Sequence, residues 1–184
     1  IADAFIIAEQ FLAGSKSILI LGDNIFYGEG FTEKLLSVKS KNRGATVFSY
    51  QVHDPERYGV VEIDKDKKVK KIVEKPKNPK SNLAVTGLYF YDSQVVDISK
   101  SLHPSDRGEL EITDVNKKYL EKGELFVEPF GRGFAWLDTG TPDSLLTANN
   151  FIGTVEQRQG LKVACLEEIA FNNGWIDKNK LKKL

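Results

Sequence analysis

Apolar residues at Ala4, Ile7, Ala8, Phe11 and Leu12 recur at the i, i+3, i+4 spacing of one helical face. They predict a helix over residues 2–12, closed by Gly14. Residues 17–21 form a short, continuously apolar run bounded by Gly22, the pattern of a buried parallel strand. A helix is predicted from Thr32 through Lys41 with Leu35, Leu36 and Val38 inward, followed by a strand over 46–52. Residues 60–63 and 69–74 are strand-like and joined by Asp64-Lys65-Asp66-Lys67-Lys68, which predicts a solvated hairpin. Residues 83–91 read as a strand, then 94–102 and 112–122 as helices, the second stopped by Gly123. Strands over 124–130 and 134–137 precede a long helix over 145–158, and a further helix starts near Asp177. Strands alternating with helices predict an α/β sheet covered on both faces, with a β-rich insertion in the middle. No Pro/Ser-rich linker interrupts the pattern, so residues 1–184 read as one domain.

Composition narrows the partners. Lys+Arg and Asp+Glu are 26 each, for a net charge of +0, so a basic surface that wraps nucleic acid is not expected. Apolar stretches such as residues 18–21 fall far below the ~20 residues of a membrane span, and no membrane partner is expected. A lone Cys165 excludes an internal disulfide framework and fits a reducing compartment, hence a cytoplasmic location. The chain begins at Ile1 and has 0 Met, which is expected of an excised or incomplete piece.

In open α/β sheets ligands bind beyond the carboxyl ends of strands. Two apolar runs end there in an aspartate: Gly22-Asp23-Asn24 and Trp136-Leu137-Asp138-Thr139-Gly140. Either the two carboxylates share a magnesium ion, which takes one or two carboxylates with water and substrate phosphate, or each caps the turn that follows it. Glu74-Lys75-Pro76 ends the hairpin; glutamate accepts hydrogen bonds from sugar hydroxyls and lysine holds phosphate as a point charge. The same residues are also compatible with a solvated strand end. Arg107-Gly108-Glu109 is either a phosphate fork or a surface salt bridge. Tyr58-Gly59 sets an aromatic ring beside a residue that permits close backbone approach. Cys165, His53 and His103 have neither the spacing of a zinc site nor a persuasive nucleophile pairing. The chemistry on offer is carboxylates and cations acting on phosphates.

Six ordered segments together resemble the sugar-nucleotide pyrophosphorylases, most closely their glucose-1-phosphate thymidylyltransferase branch. They are Leu21-Gly22-Asp23-Asn24-Ile25-Phe26-Tyr27-Gly28, Asp54-Pro55-Glu56-Arg57-Tyr58-Gly59-Val60-Val61, Glu74-Lys75-Pro76, Ala84-Val85-Thr86-Gly87-Leu88-Tyr89, Arg107-Gly108-Glu109-Leu110-Glu111-Ile112-Thr113-Asp114 and Trp136-Leu137-Asp138-Thr139-Gly140. The resemblance implies a Rossmann-like nucleotide-diphospho-sugar transferase fold with a mixed, mostly parallel sheet. It implies a magnesium-dependent reaction of dTTP with glucose 1-phosphate to dTDP-glucose and pyrophosphate, at the entry to dTDP-rhamnose and related deoxysugars. By motif, Asp23 and Asp138 are the implied metal ligands. Lys75 and Arg107 hold the sugar phosphate, and Glu74, Gly59 and Val85 face the glucose. Asn24, Tyr58, Tyr89 and Glu109 complete the implied substrate site. A second, regulatory nucleotide site is implied at Tyr27, Gly28, Arg132, Glu168 and Ile169, and the family implies a homotetramer. The family's glycine-rich G-x-G-x-R triphosphate loop has no counterpart between Ile1 and Leu184, so the domain is expected to be incomplete and to expose an apolar sheet edge. The alternatives are a uridylyltransferase of the same family and a non-catalytic sugar-nucleotide-binding module.

Overall fold

The computed structural model describes residues 1–41 and 43–184. The chain divides into two compact units, Ile1–Leu137 and Asp138–Leu184. No helix among the described residues is long and apolar enough to cross a membrane.

The first unit is built on β6 (Leu83–Tyr91), whose Ala84 to Tyr91 are all buried. Nine residues that include Val85, Thr86, Leu88, Tyr89, Phe90 and Tyr91 suit a strand covered on each side. One edge of β6 pairs along its length with β3 (Ala45–Gln51), antiparallel. The other edge is shared: β4 (Gly59–Ile63) meets it at Ala84, and β1 (Ser17–Ile20) meets it from Leu88 to Tyr91. Beyond these lie β5 (Val69–Glu74) on β4 and β7 (Leu125–Pro129) on β3. Among the described residues the sheet order is therefore β5-β4-β6-β3-β7, with β1 against β6. A separate two-stranded ribbon pairs β2 (Asn24–Gly28) with β8 (Phe134–Asp138).

The sheet is mixed, as expected of an α/β fold, but its parallel content is smaller than the prediction of a mostly parallel sheet. Among the described registers in that sheet, β3 with β7 runs parallel, and β1, β3 and β4 on β6 and β4 on β5 run antiparallel. β1 departs from its expectation twice: it is antiparallel, and Ile18 and Ile20 are 50% and 57% exposed while Ser17 and Leu19 are half-buried. A four-residue apolar run cannot distinguish a strand covered on both faces from one covered on a single face.

Helices α1 (Asp3–Ile7) and α2 (Glu9–Leu12) replace the single predicted helix and end where Ala13 and Gly14 take left-handed φ values of 47° and 73°. In α3 (Phe31–Lys41) Val38 is buried but Leu36 is 57% exposed, so the predicted inward face is narrower than its apolar content. α4 (Val95–Lys100) and α5 (Ile112–Glu121) bury Val95, Ile98, Ile112, Val115 and Tyr119 in the same core as Val47, Val61, Val85, Tyr89 and Tyr91. A second cluster joins Phe48, Leu88, Phe90 and Phe130 to Val38. A short 3₁₀ turn, Pro55–Arg57, leads into β4.

The second unit carries α6 (Pro142–Gln159), α7 (Leu166–Asn172) and α8 (Lys178–Leu181). α6 begins with Thr141 and Ser144 capping each other's backbone N–H groups, three residues before the predicted start. Asp177 caps α8 by accepting the Lys180 backbone N–H at 2.7 Å. α7 is not foreseen by the sequence pattern.

Candidate active site

Beyond β1, the Leu21 N–H donates to the Gly87 carbonyl at 2.9 Å and the Asn24 N–H donates back to Leu21 at 3.1 Å. This tight turn leaves Asp23 exposed at the strand end and lays Asn24 against β6. Two donors fix the orientation of the Asn24 carboxamide, because the Gly87 N–H (2.9 Å) and the Trp136 indole N–H (2.7 Å) both point at Oδ1. Neither donor can accept, so the amide nitrogen faces the other way and donates to Asp23 Oδ1 at 2.7 Å. Asn24 thus orients the Asp23 carboxylate. Gly87 is required beneath it, since a Cβ there would sit 2.6 Å from Asn24 Oδ1. Trp136 itself packs against Tyr58, with ring centroids 5.1 Å apart.

A second group assembles where the hairpin meets α5. Gly59 stands opposite Glu74 in the β4–β5 register. A Cβ on Gly59 would approach Thr113 Oγ1 at 3.2 Å, Glu74 Oε2 at 3.4 Å and Val85 at 3.9 Å, so these four residues share one small space. The Thr113 hydroxyl donates to Glu74 Oε2 at 2.5 Å, and Arg107 Nη2 lies 3.4 Å from Glu74 Oε1. Arg107 is held mainly by Glu111: Nε and Nη2 reach Oε1 at 3.1 and 2.8 Å, and Nη2 reaches Oε2 at 2.8 Å. Burial works to raise the Glu111 carboxyl, but hydrogen bonds from Ser105 and Arg107 outweigh it and hold the group below the usual glutamate range. Arg107 in turn is raised above its ordinary value, first by its hydrogen bond to Glu111 and then by that carboxylate's charge.

Lys75 follows immediately. Its backbone adopts φ 40°, unusual for a side-chain-bearing residue, and its N–H donates to the Tyr58 carbonyl at 3.0 Å. Among the described residues its exposed ammonium has no hydrogen bond or ion pair. Tyr89 links the two groups. Its buried phenol is raised well above the usual range, by burial first and then by the charges of Glu74 and Asp23. Asn24 lies on Gly87 and the Gly59–Glu74 space borders Val85, so the two groups meet β6 two residues apart.

The first unit therefore gathers Asp23, Asn24, Tyr58, Gly59, Glu74, Lys75, Val85, Tyr89 and Arg107. Glu109 is exposed; its carbonyl accepts the Ser105 N–H at 2.9 Å, and Glu111 is the glutamate bound to Arg107. Tyr27 and Gly28 lie on β2, where the Phe134 ring fills the space a Gly28 Cβ would take, and Arg132 is exposed in the turn before β8. Asp138 opens the second unit and accepts the Gly140 N–H at 3.1 Å, the turn-capping contact allowed by the sequence. Glu168 and Ile169 are exposed on α7 of that unit. Cys165 lies beside Glu167, 3.5 Å from its carboxylate.

Sequence reasoning missed Glu111, Thr113, Gly87 and Trp136 as parts of the site. Arg107 and Glu111 stand four apart across a loop that precedes α5, so their spacing alone does not signal the contact. For magnesium, the donor set has the right chemistry: an exposed, oriented carboxylate is a hard oxygen ligand. Among the described residues no three His, Cys, Asp or Glu side chains cluster as a metal cage, and magnesium completed by water and phosphate needs none.

The family model for nucleotidyl transferases matches residues 1–155. This chain belongs to the nucleotidyl transferase family. Among the similar members, glucose-1-phosphate thymidylyltransferase of Xanthomonas campestris pv. campestris is 56% identical over 184 residues, all of this chain and 62% of that protein. The enzyme of that name from Mycobacterium tuberculosis is 50% identical over 181 residues, covering 98% of this chain and 62% of its own length. A Bacillus anthracis crystal structure titled as a glucose-1-phosphate thymidylyltransferase in complex with sucrose superposes with TM-score 0.73 at 44% identity, over 82% of this chain and 60% of that one. Apo UDP-glucose pyrophosphorylase shares the fold at TM-score 0.71 and 21% identity, over 86% of this chain and 60% of that one. This nucleotidyl transferase chain thus spans about three-fifths of the length of the relatives it matches.

Proposed function

We propose that the protein carrying this chain transfers a thymidylyl group from dTTP to glucose 1-phosphate, giving dTDP-glucose and pyrophosphate. The observation that carries this reading is the arrangement around Glu74: a carboxylate fixed by Thr113 and Arg107, next in sequence to the unpartnered ammonium of Lys75 and bordering Gly59, where a side chain would crowd Thr113 and Glu74. That combination suits a polyol bearing a phosphate. The names of relatives at 50–56% identity support the choice of thymidine nucleotide and glucose 1-phosphate.

The attacking group is a phosphate whose second pKa is ~6, so it is ionised at neutral pH and no general base is required. Its oxygen forms a bond to the α-phosphorus of the nucleotide, the bond to the β-phosphate oxygen breaks, and pyrophosphate leaves with the electron pair. The obstacle is repulsion between two polyanions. Lys75 and Arg107 offset that charge and aim the sugar phosphate, while Glu74 and the Gly59 backbone fix the sugar's orientation. Magnesium, when bound, supplies further neutralisation of the phosphates; Asp23 would hold it, and the motif resemblance assigns Asp138 the same role. Supply of dTDP-glucose to deoxysugar synthesis such as dTDP-rhamnose, a homo-oligomeric state and a cytoplasmic setting belong to the same proposal. So does a second nucleotide site involving Tyr27, Gly28, Arg132, Glu168 and Ile169.

The test is product formation by the full protein from glucose 1-phosphate with dTTP or UTP at saturating magnesium. Preference for dTTP supports the proposal, whereas preference for UTP assigns a uridylyltransferase. Binding of sugar nucleotide without turnover assigns a binding module. Asp138→Asn is expected to lower turnover by orders of magnitude, and near-normal turnover would remove Asp138 from the metal role.

A further inference from the structure

We propose that Glu111 is a positioning residue that consumes one face of the Arg107 guanidinium and leaves Nη1 to meet the sugar phosphate. The inference rests on the proposed phosphate role of Arg107 and adds a residue and a geometry to it. The sequence allows Arg107 to be a phosphate fork or a salt bridge, and the structure pairs its Nε and Nη2 with Glu111 and Glu74. Nη1 alone lacks a protein partner among the described residues. A bound phosphate would therefore take Nη1 hydrogens without displacing Glu111.

The exposure of the two side chains supports this division. The Glu111 side chain is 10% exposed and that of Arg107 46%, so the carboxylate is the fixed partner and the guanidinium the presented one. Glu111 is anchored on three sides. It is the N-cap residue of α5, its carbonyl accepts the Asp114 N–H at 3.1 Å, and Oε1 accepts the Ser105 hydroxyl at 2.7 Å. The intervening loop is closed on itself: Ser105 N–H donates to the Glu109 carbonyl, Gly108 N–H donates to the Ser105 carbonyl, and Gly108 takes the left-handed φ of 75°. A buried carboxylate that already satisfies both its oxygens has little reason to release its cation. Lysine at 107 would fail for the same reason, because a single ammonium cannot face Glu111 and the phosphate at once.

The experiment compares native protein with Glu111→Gln, Arg107→Ala and their combination, using glucose 1-phosphate and dTTP as varied substrates. Glu111→Gln keeps the shape and removes the charge. Loss of a charge-assisted hydrogen bond predicts a rise of about 10- to 100-fold in KM for glucose 1-phosphate, with KM for dTTP within about twofold of native. If Glu111 acts through Arg107, the double variant matches Arg107→Ala alone. Equal changes in both KM values, or additive effects in the double variant, overturn the proposal while leaving the thymidylyl-transfer reading intact. Should Glu111→Gln fail to fold, Ser105→Ala removes only the hydroxyl on Oε1, and a selective rise in KM for glucose 1-phosphate is still expected. An unchanged value overturns the proposal. Calorimetric titration with glucose 1-phosphate alone separates the two readings. If native protein forms no product with any nucleoside triphosphate, the proposed function fails, yet tenfold weaker sugar-phosphate binding in Glu111→Gln still supports the role of Glu111. Unaltered or absent binding overturns it.

Discussion

Replacing Gly87 with alanine tests the reasoning about Asn24 most directly. Gly87 does not occupy the left-handed region, so alanine meets no backbone penalty there and any cost is steric. The new Cβ would lie 2.6, 2.7 and 2.8 Å from Oδ1, Cγ and Nδ2 of Asn24, three contacts well inside van der Waals distance. The carboxamide cannot slide away while it keeps the Trp136 indole (2.7 Å), the Gly87 N–H (2.9 Å) and Asp23 (2.7 Å). It must leave, and two partly buried N–H donors then lose their acceptor. Each unsatisfied donor costs about 1–3 kcal/mol and relief of crowding is incomplete, so a loss of about 3 kcal/mol is expected. With a urea slope of about 1–3 kcal/mol per molar, the unfolding midpoint should fall by roughly 1–3 M at unchanged slope. Urea titration of the full protein followed by far-ultraviolet circular dichroism measures it. Gly22→Ala, whose Cβ meets no atom within 4 Å, is the control and should stay within about 0.5 kcal/mol. In an Asn24→Ala background the clash is gone, and Gly87→Ala should cost under about 1 kcal/mol. A Gly87→Ala protein as stable as native, or one equally damaged in both backgrounds, refutes the account.

Two further outcomes follow from other parts of the first unit. Burial acts to raise the Asp92 carboxyl, but hydrogen bonds from Gln94, Tyr119 and Gly44 outweigh it and hold the group below the ordinary 3.8. A depressed folded-state pKa contributes stability that is present above about pH 4 and lost as pH falls through the folded value. Asp92→Asn should therefore lower stability at pH 7 and flatten the acid limb below pH 4, read by urea midpoints across pH; an unchanged acid limb contradicts the assignment. Gly59→Ala places a Cβ 3.2 Å from Thr113 Oγ1 and 3.4 Å from Glu74 Oε2. It should raise KM for glucose 1-phosphate several-fold, with stability changed by less than about 1 kcal/mol; an unchanged KM would detach Gly59 from the sugar site.

What could be read from the sequence follows from what each pattern encodes. The residue range of β6 emerged from its β-branched and aromatic content, and the β4–β5 hairpin from its charged turn, where Asp64 Oδ1 accepts the Asp66 and Lys68 N–H groups. Strand direction did not emerge, because apolar continuity reports burial and carries no sign for parallel or antiparallel pairing. β2 was hidden behind the turn signal of Gly22-Asp23-Asn24, although Ile25, Phe26 and Tyr27 have strand character. In the site, Glu74, Gly59 and Arg107 stand out from their own motifs and Val85 only through the resemblance, and only the fold shows Glu74 and Gly59 in cross-strand register. Glu111 was passed over because its segment read as loop, where a four-residue spacing carries no facing relation until a helix begins.

The packing of Trp136 has a spectroscopic consequence. The chain holds 2 tryptophans, and they are in opposite surroundings: Trp136 is 8% exposed between Tyr50 and Tyr58, whereas Trp175 is 73% exposed. An aqueous quencher such as iodide should silence Trp175 first and leave an emission dominated by an indole hydrogen-bonded to Asn24. Of the two indoles in this chain, the one that resists quenching is an optical gauge of the Asp23 turn as ligands are added.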